Sequence, residues 1–123
     1  MRFIPTWLHG MFDYPLGLLL VALPWLGGFA NRGPEMWVTI AAGVAVLVLS
    51  AFTAYEAGIM RVIPMSAHLI IDAMTGIFMA ASPWLLGFAD VVWLPYVILG
   101  IGELGAALTT QTIPGHRLAR PAI

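Results

Sequence analysis

Two histidine–aspartate pairs are the side chains of this sequence best suited to chemistry. His9 precedes Asp13 by four residues, and His68 precedes Asp72 by the same spacing. Side chains four residues apart lie on one face of an α-helix, so the members of each pair can form a hydrogen bond. Imidazole and carboxylate groups exchange protons and bind divalent metals, and these are the two kinds of chemistry that the pairs predict.

A third acid, Glu103, lies in a separate hydrophobic stretch near the end of the chain. An ionised carboxyl group inside a bilayer costs a few kcal/mol, so such groups must be paired, neutral or hydrated. The sequence predicts no cofactor outright, and its simplest interpretation is structural. Each His–Asp pair is then a clasp that ties helices together, and Glu103 is protonated or bonded to a neighbouring helix.

Three other interpretations of the same residues stay open. In the first, His9 and His68 bind one haem or one divalent metal ion, with the aspartates as outer partners or further ligands. In the second, the His, Asp and Glu side chains relay protons or cations. In the third, a quinone, lipid or pigment lies between the helices. A hydrolase triad is excluded, because no base lies at a suggestive spacing from Ser50, Ser66 or Ser82.

Both pairs belong to an internal repeat whose copies lie 59 positions apart. The identical positions of the first copy include Arg2, Ile4, Pro5, His9, Asp13, Gly17, Pro24 and Trp25. A repeat of this length indicates two copies of one supersecondary unit, so a site built from these residues is doubled or lies on the axis between copies. The second halves diverge, and the alignment that pairs Trp37 with Trp93 sets them 56 positions apart.

The composition indicates a membrane protein. The chain is 61% hydrophobic and 9% charged, whereas soluble domains carry roughly 25% charged residues. It has no cysteine, which excludes disulfides, thiolate metal ligands and thiol nucleophiles. With no lysine and five arginines against six acids, it has no basic patch for nucleic acid.

Four hydrophobic stretches, at about 6–26, 36–57, 65–86 and 91–112, are each close to the length that spans a bilayer. We therefore predict an all-α membrane protein, a four-helix bundle made of two parallel helical-hairpin repeats at about 2–57 and 61–112. The whole chain, 1–123, is one membrane domain with a tail at 113–123. The repeats are related by an axis along the membrane normal.

Arginine positions predict the orientation. Four arginines lie at the termini and in the central loop, and one lies on the other side, so both termini are predicted in the cytoplasm. The inner set is Arg2, Arg61, Arg117 and Arg120, and the outer one is Arg32. The outer boundary is marked by Trp25, Trp37, Trp84 and Trp93. In the tail, His116 and two of these arginines are expected to face anionic headgroups.

Residues 82–88, Ser-Pro-Trp-Leu-Leu-Gly-Phe, resemble the signature of the SPW repeat family of small bacterial membrane proteins. Residues 23–29 resemble a degenerate copy with Leu23 in place of the serine, and the upstream acid and glycine of each repeat also match the family pattern. The resemblance covers roughly residues 2–112. It implies a four-helix integral membrane protein, and it implies no activity.

The signature has a structural interpretation. Ser82 can bond to the carbonyl one turn back, Pro83 frees a backbone carbonyl, Trp84 anchors at the headgroups and Gly87 permits the turn. Small residues such as Gly17, Gly76 and Gly100 are expected to let helices approach closely. We therefore expect a multi-pass protein of the bacterial inner membrane without enzymatic activity. Its expected role is structural or accessory, through helix association with itself or with a larger membrane complex.

Overall fold

The computed structural model describes residues 1–115, which form four α-helices: α1 (Thr6–Leu26), α2 (Pro34–Phe52), α3 (Met65–Leu85) and α4 (Leu94–Thr109). They lie at the four predicted hydrophobic stretches. The second and fourth helices end earlier than predicted, because Thr53 and Thr110 after them adopt extended backbone conformations. The predicted tail contacts of His116, Arg117 and Arg120 fall outside the described residues.

Glycines let the two helices of each hairpin pack closely. A Cβ atom added at Gly43 would lie 2.6 Å from the Gly17 carbonyl oxygen, and one added at Gly100 would lie 2.6 Å from that of Gly76. Helix backbones approach this closely only when no side chain stands between them. The contacts join α1 to α2 and α3 to α4, so these small residues pack within the chain, as predicted.

The hairpin contacts correct the alignment of the second halves. Gly43 and Gly100 take equivalent places against α1 and α3, and they lie 57 positions apart. Thr53 and Thr110, which follow α2 and α4, have the same separation. The alignment of Trp37 with Trp93 is therefore wrong by one position. Both tryptophans are about half exposed, so packing does not hold them in register as it holds the glycines.

The repeats exchange backbone bonds at one end of the bundle. Ile4, ahead of α1, donates to the carbonyl of Thr109 at the end of α4, at 3.0 Å. Ile63, ahead of α3, donates in the same way to the carbonyl of Phe52 at the end of α2, at 2.8 Å. At the other end, the Tyr96 hydroxyl of α4 donates to the carbonyl of Glu35 at the start of α2. The equivalent ends of the two hairpins thus lie side by side.

The bundle has polar groups inside and apolar groups outside. Its buried polar residues include Thr6, His9, Asp13, Glu35, Thr39, Ser50, Thr53, His68, Asp72, Ser82, Glu103 and Thr110. Its exposed residues include Phe12, Leu18, Val48, Ile70, Met74, Ile77, Ile98, Ile101 and Leu108, which come from all four helices. By length and composition, α2 and α3 are apolar enough to cross a membrane, and α4 is a shorter apolar helix.

Candidate functional site

The four side chains of the His–Asp pairs meet in one buried cluster, which we call the His–Asp cluster (His9, Asp13, His68 and Asp72). His9 Nε2 lies 3.3 Å from Asp13 Oδ1 and 3.1 Å from Asp72 Oδ2. His68 Nε2 lies 3.4 Å from Asp13 Oδ2 and 3.0 Å from Asp72 Oδ2. Each imidazole therefore contacts both carboxylates, its own and that of the other repeat.

The clasp interpretation needs a correction at this point. The i,i+4 spacing predicted contacts within each helix, and these exist, but the imidazole of His9 is also 3.1 Å from the carboxylate of Asp72. The pairs are not independent because α1 and α3 place the same positions of the repeat at the same end of the bundle. The two histidines hold equivalent positions in the two repeats, and their ring centroids are 5.4 Å apart.

Two threonines determine which nitrogen of each imidazole carries a proton. The Thr110 hydroxyl donates to the carbonyl of Ala106 at 2.6 Å and lies 2.8 Å from His9 Nδ1. Since its only proton is used, its oxygen must accept from an N–H at Nδ1.

The second repeat has the same chain of bonds. The Thr53 hydroxyl donates to the carbonyl of Leu49 at 2.6 Å and lies 2.7 Å from His68 Nδ1. A neutral imidazole with its proton on Nδ1 has its lone pair on Nε2. In both histidines Nε2 is therefore the nitrogen that faces the carboxylates, and His9 Nε2 forms a 3.1 Å hydrogen bond with Asp72 Oδ2.

A tyrosine outside the helices orients one carboxylate. The Tyr55 hydroxyl is fully buried and donates to Asp13 Oδ2 at 2.5 Å. The sequence reasoning missed Tyr55, Thr53 and Thr110. The signal for the threonines was available, because they occupy equivalent positions, but it appears only in the 57-residue register.

Glu103 lies beside the cluster in a cavity of about 400 Å³ between α1 and α4. The cavity wall also includes His9, Asp13 and Asp72, and its remaining lining is largely aliphatic and aromatic. The Oε2 atom of Glu103 is buried and has no hydrogen-bond partner among residues 1–115. The structure thus brings Glu103 to the same site as the two pairs, but it does not show the predicted bond to a neighbouring helix at this oxygen.

The equivalent groove in the other half of the molecule lacks such an acid. It lies between α2 and α3, has a volume of about 650 Å³ and is lined by Pro34, Trp37, Val38, Ala41, Ala42, Ile71, Met74, Thr75 and Phe78. In the 57-residue register, Val46 is the counterpart of Glu103. The repeats therefore share the two histidines and two aspartates, whereas Tyr55 and Glu103 have no equivalent side chain in the other repeat.

The Ser-Pro-Trp segment (82–84) ends α3 and leads into a turn, as its sequence predicts. Pro83 has no N–H for the carbonyl of Met79, and the Ser82 hydroxyl donates to that carbonyl at 2.8 Å. Gly87 has φ of 78°, a left-handed conformation that favours glycine. The turn returns Phe88 to the core against Tyr96, and it leaves Trp84 58% exposed.

The cluster's geometry distinguishes between the cofactors considered. A haem held by both histidines would need its porphyrin plane between the two Nε2 atoms. The carboxylate oxygens lie within 3.0 to 3.4 Å of those nitrogens and would have to move aside. A single ion needs no such plane, and one ligand atom from each of the four residues lies within 4.8 Å of the others.

A family model described as the SPW repeat domain matches residues 6–110, which span both repeats. A search of curated proteins and a search of solved structures each found no match.

Proposed function

The chain belongs to the SPW repeat family, and from this membership we propose that it is a multi-pass protein of the bacterial inner membrane. Its four helices all span the bilayer as two parallel hairpin repeats, and both termini lie in the cytoplasm. Its role is structural or accessory rather than enzymatic, and it acts by associating with itself or with a larger membrane complex.

The observation that carries the membrane part is the inverted polarity of the bundle. Helix α1 supports this reasoning best, since it buries His9 and Asp13 while Met11, Phe12 and Leu18 are each more than 60% exposed. In water, such a surface would cost much of the hydrophobic free energy that folding gains. In a bilayer, the same surface faces acyl chains, and the interior supplies hydrogen-bond partners to the polar groups.

The association part rests on the apolar groove between α2 and α3. Its wall carries Ala41 and Ala42 on one side and longer side chains such as Met74 on the other. Small residues on one wall let a neighbouring transmembrane helix approach closely. None of the residues that line this groove is charged, so the surface offers packing rather than chemistry.

Photo-crosslinking tests the association. The chain has no cysteine, so Met74→Cys introduces a single thiol in the groove that can carry a photoreactive maleimide. We expect ultraviolet light to give protein adducts in native membranes, and mass spectrometry to identify a second copy or another protein. Ile101→Cys on α4, which is similarly exposed but outside this groove, is the control and should give mainly lipid adducts. Only lipid adducts at both positions would contradict the proposed association.

A further inference from the structure

With both imidazoles neutral, the two carboxylates of the His–Asp cluster would leave two negative charges in a buried site. Burial of such charges is costly unless they are paired. The arginine ahead of each repeat bonds elsewhere: Arg2 donates to the carbonyls of Ala107 and Thr110, and Arg61 donates to that of Gly58. The site therefore needs two positive charges, from two protons or from one divalent cation.

The unpartnered nitrogen of His68 favours the cation. The threonine hydroxyls hold both Nδ1–H groups, at 2.8 Å for His9 and 2.7 Å for His68, so both Nε2 atoms face the carboxylates. His9 Nε2 is hydrogen-bonded to Asp72 Oδ2 at 3.1 Å. His68 Nε2 is buried and makes no hydrogen bond of acceptable geometry within residues 1–115, although Asp72 Oδ2 is only 3.0 Å away. Because His68 Nε2 lies near the carboxylates without a hydrogen bond to them, it is available to bind a metal ion.

The spacing of the ligand atoms fits one metal ion. His9 Nε2 lies 3.3 Å from Asp13 Oδ1 and 3.1 Å from Asp72 Oδ2, and His68 Nε2 lies 3.0 Å from Asp72 Oδ2. A tetrahedral site with metal–ligand bonds of about 2.0–2.1 Å has edges of roughly 3.3–3.4 Å. These three separations lie close to that value, and one ligand atom from each of the four residues lies within 4.8 Å of the others.

The surroundings supply the outer partners that metal sites require. Ligand histidines almost always donate their second N–H to an acceptor, and ligand carboxylates are themselves hydrogen-bonded. Thr110 and Thr53 accept from the histidines, and Tyr55 donates to Asp13 Oδ2, which leaves Oδ1 for an ion. The cavity between α1 and α4 reaches His9, Asp13 and Asp72, so the site has a path of entry.

We propose that His9, Asp13, His68 and Asp72 bind one divalent first-row transition metal ion on the axis between the repeats. The donor set is two imidazole nitrogens and two carboxylate oxygens, which suits Zn²⁺, Fe²⁺ or Mn²⁺ better than Mg²⁺ or Ca²⁺. The ion balances the two carboxylates and joins the first repeat to the second. This inference goes beyond the accessory role proposed above, and either can fail without the other.

The test is Zn²⁺ binding to the purified full-length protein in detergent, measured by competition with a chromophoric chelator. We expect one ion per chain and little competition from excess Mg²⁺. His68→Ala should weaken binding at least 100-fold. Thr53→Val and Thr110→Val, which keep all four ligands, should each weaken it about 10- to 100-fold by removing the acceptor of Nδ1–H. Thr39→Val is the matched control, because Thr39 is equally buried but bonds to the carbonyl of Met36.

Two further measurements cover the case in which a variant fails to fold. Wild-type protein loaded with Co²⁺ should show the intense visible absorption of a tetrahedral ion, and Zn²⁺ should abolish it. His116→Ala removes the third histidine of the chain, outside the described residues, and should leave the affinity unchanged. The proposal is overturned if the wild type binds no Zn²⁺, if binding depends on His116 rather than His68, or if Thr53→Val and Thr39→Val have equal effects.

Discussion

At the scale of the residue, the chemistry of this protein depends on a few polar side chains that its two repeats bring together. The sequence identified His9, His68 and both aspartates from their spacing, because an i,i+4 pair is a local pattern. It could not show that each imidazole also contacts the aspartate of the other repeat, at 3.1 and 3.4 Å, since that contact depends on how α1 and α3 meet.

The shared cluster leads to a prediction for the double mutant His9→Ala/His68→Ala. Each single variant should lose about 1–3 kcal/mol of unfolding free energy, because it leaves buried carboxylates with fewer partners. The loss in the double variant should differ from the sum of the single losses by at least about 0.5 kcal/mol, because both imidazoles contact the same two carboxylates.

Unfolding in mixed detergent micelles, with a metal chelator present throughout, measures these free energies for the protein alone. Additive losses would show two independent clasps, as the spacing alone predicted. They would contradict the cross-repeat contacts of the cluster.

At the scale of the element, hydrophobic stretches predicted where the helices lie, and the close contacts determined how they pack. The sequence placed the bounds of the four helices to within about five residues, since apolar runs are local signals. The alignment of α2 with α4 was wrong by one position because Trp37 and Trp93 are conspicuous in the sequence but only partly buried. Gly43 and Gly100, which lie against neighbouring backbone, determine the register.

Glycine substitutions test this packing with a control inside one helix. Gly100→Ala should destabilise the protein by about 1–3 kcal/mol, because its Cβ would lie 2.6 Å from backbone atoms of α3. Gly102→Ala, two positions away, meets nothing within 4 Å and should be neutral or stabilising by up to about 1 kcal/mol through helix propensity. Thermal unfolding in detergent measures both variants, and equal effects would contradict the hairpin packing described here.

At the scale of the whole molecule, the polarity of the bundle is the property that composition predicted best. A chain that is 61% hydrophobic has more apolar surface than one soluble core of this size could cover. Composition could not show which side chains turn inward. The structure places Thr53, His68 and Thr110 inside and residues such as Met74 outside.

The proposed topology is testable because the chain has no cysteine. Asp90→Cys, in the exposed loop between α3 and α4, should react with a membrane-impermeant maleimide added outside spheroplasts. Ile59→Cys, 77% exposed in the loop between α2 and α3, should react only after the membrane is permeabilised. Ile59 and Asp90 are exposed and make none of the contacts of the His–Asp cluster, so neither change should disturb it. Labelling of both from outside would exclude four spans with cytoplasmic termini.

The bonds between the first and last segments of the chain have a consequence for its biosynthesis. His9 Nδ1 lies 2.8 Å from the Thr110 hydroxyl, and Arg2 donates to the carbonyl of Ala107. Residues in and before α1 therefore have hydrogen-bond partners at the end of α4. A ribosome delivers the first hairpin to the membrane before it has translated these partners. His9 and Asp13 must therefore stay solvated, or shielded by the insertion machinery, until α4 is inserted. A chain truncated before Thr110 would enter the bilayer with its polar centre incomplete, a recognisable defect for membrane quality control.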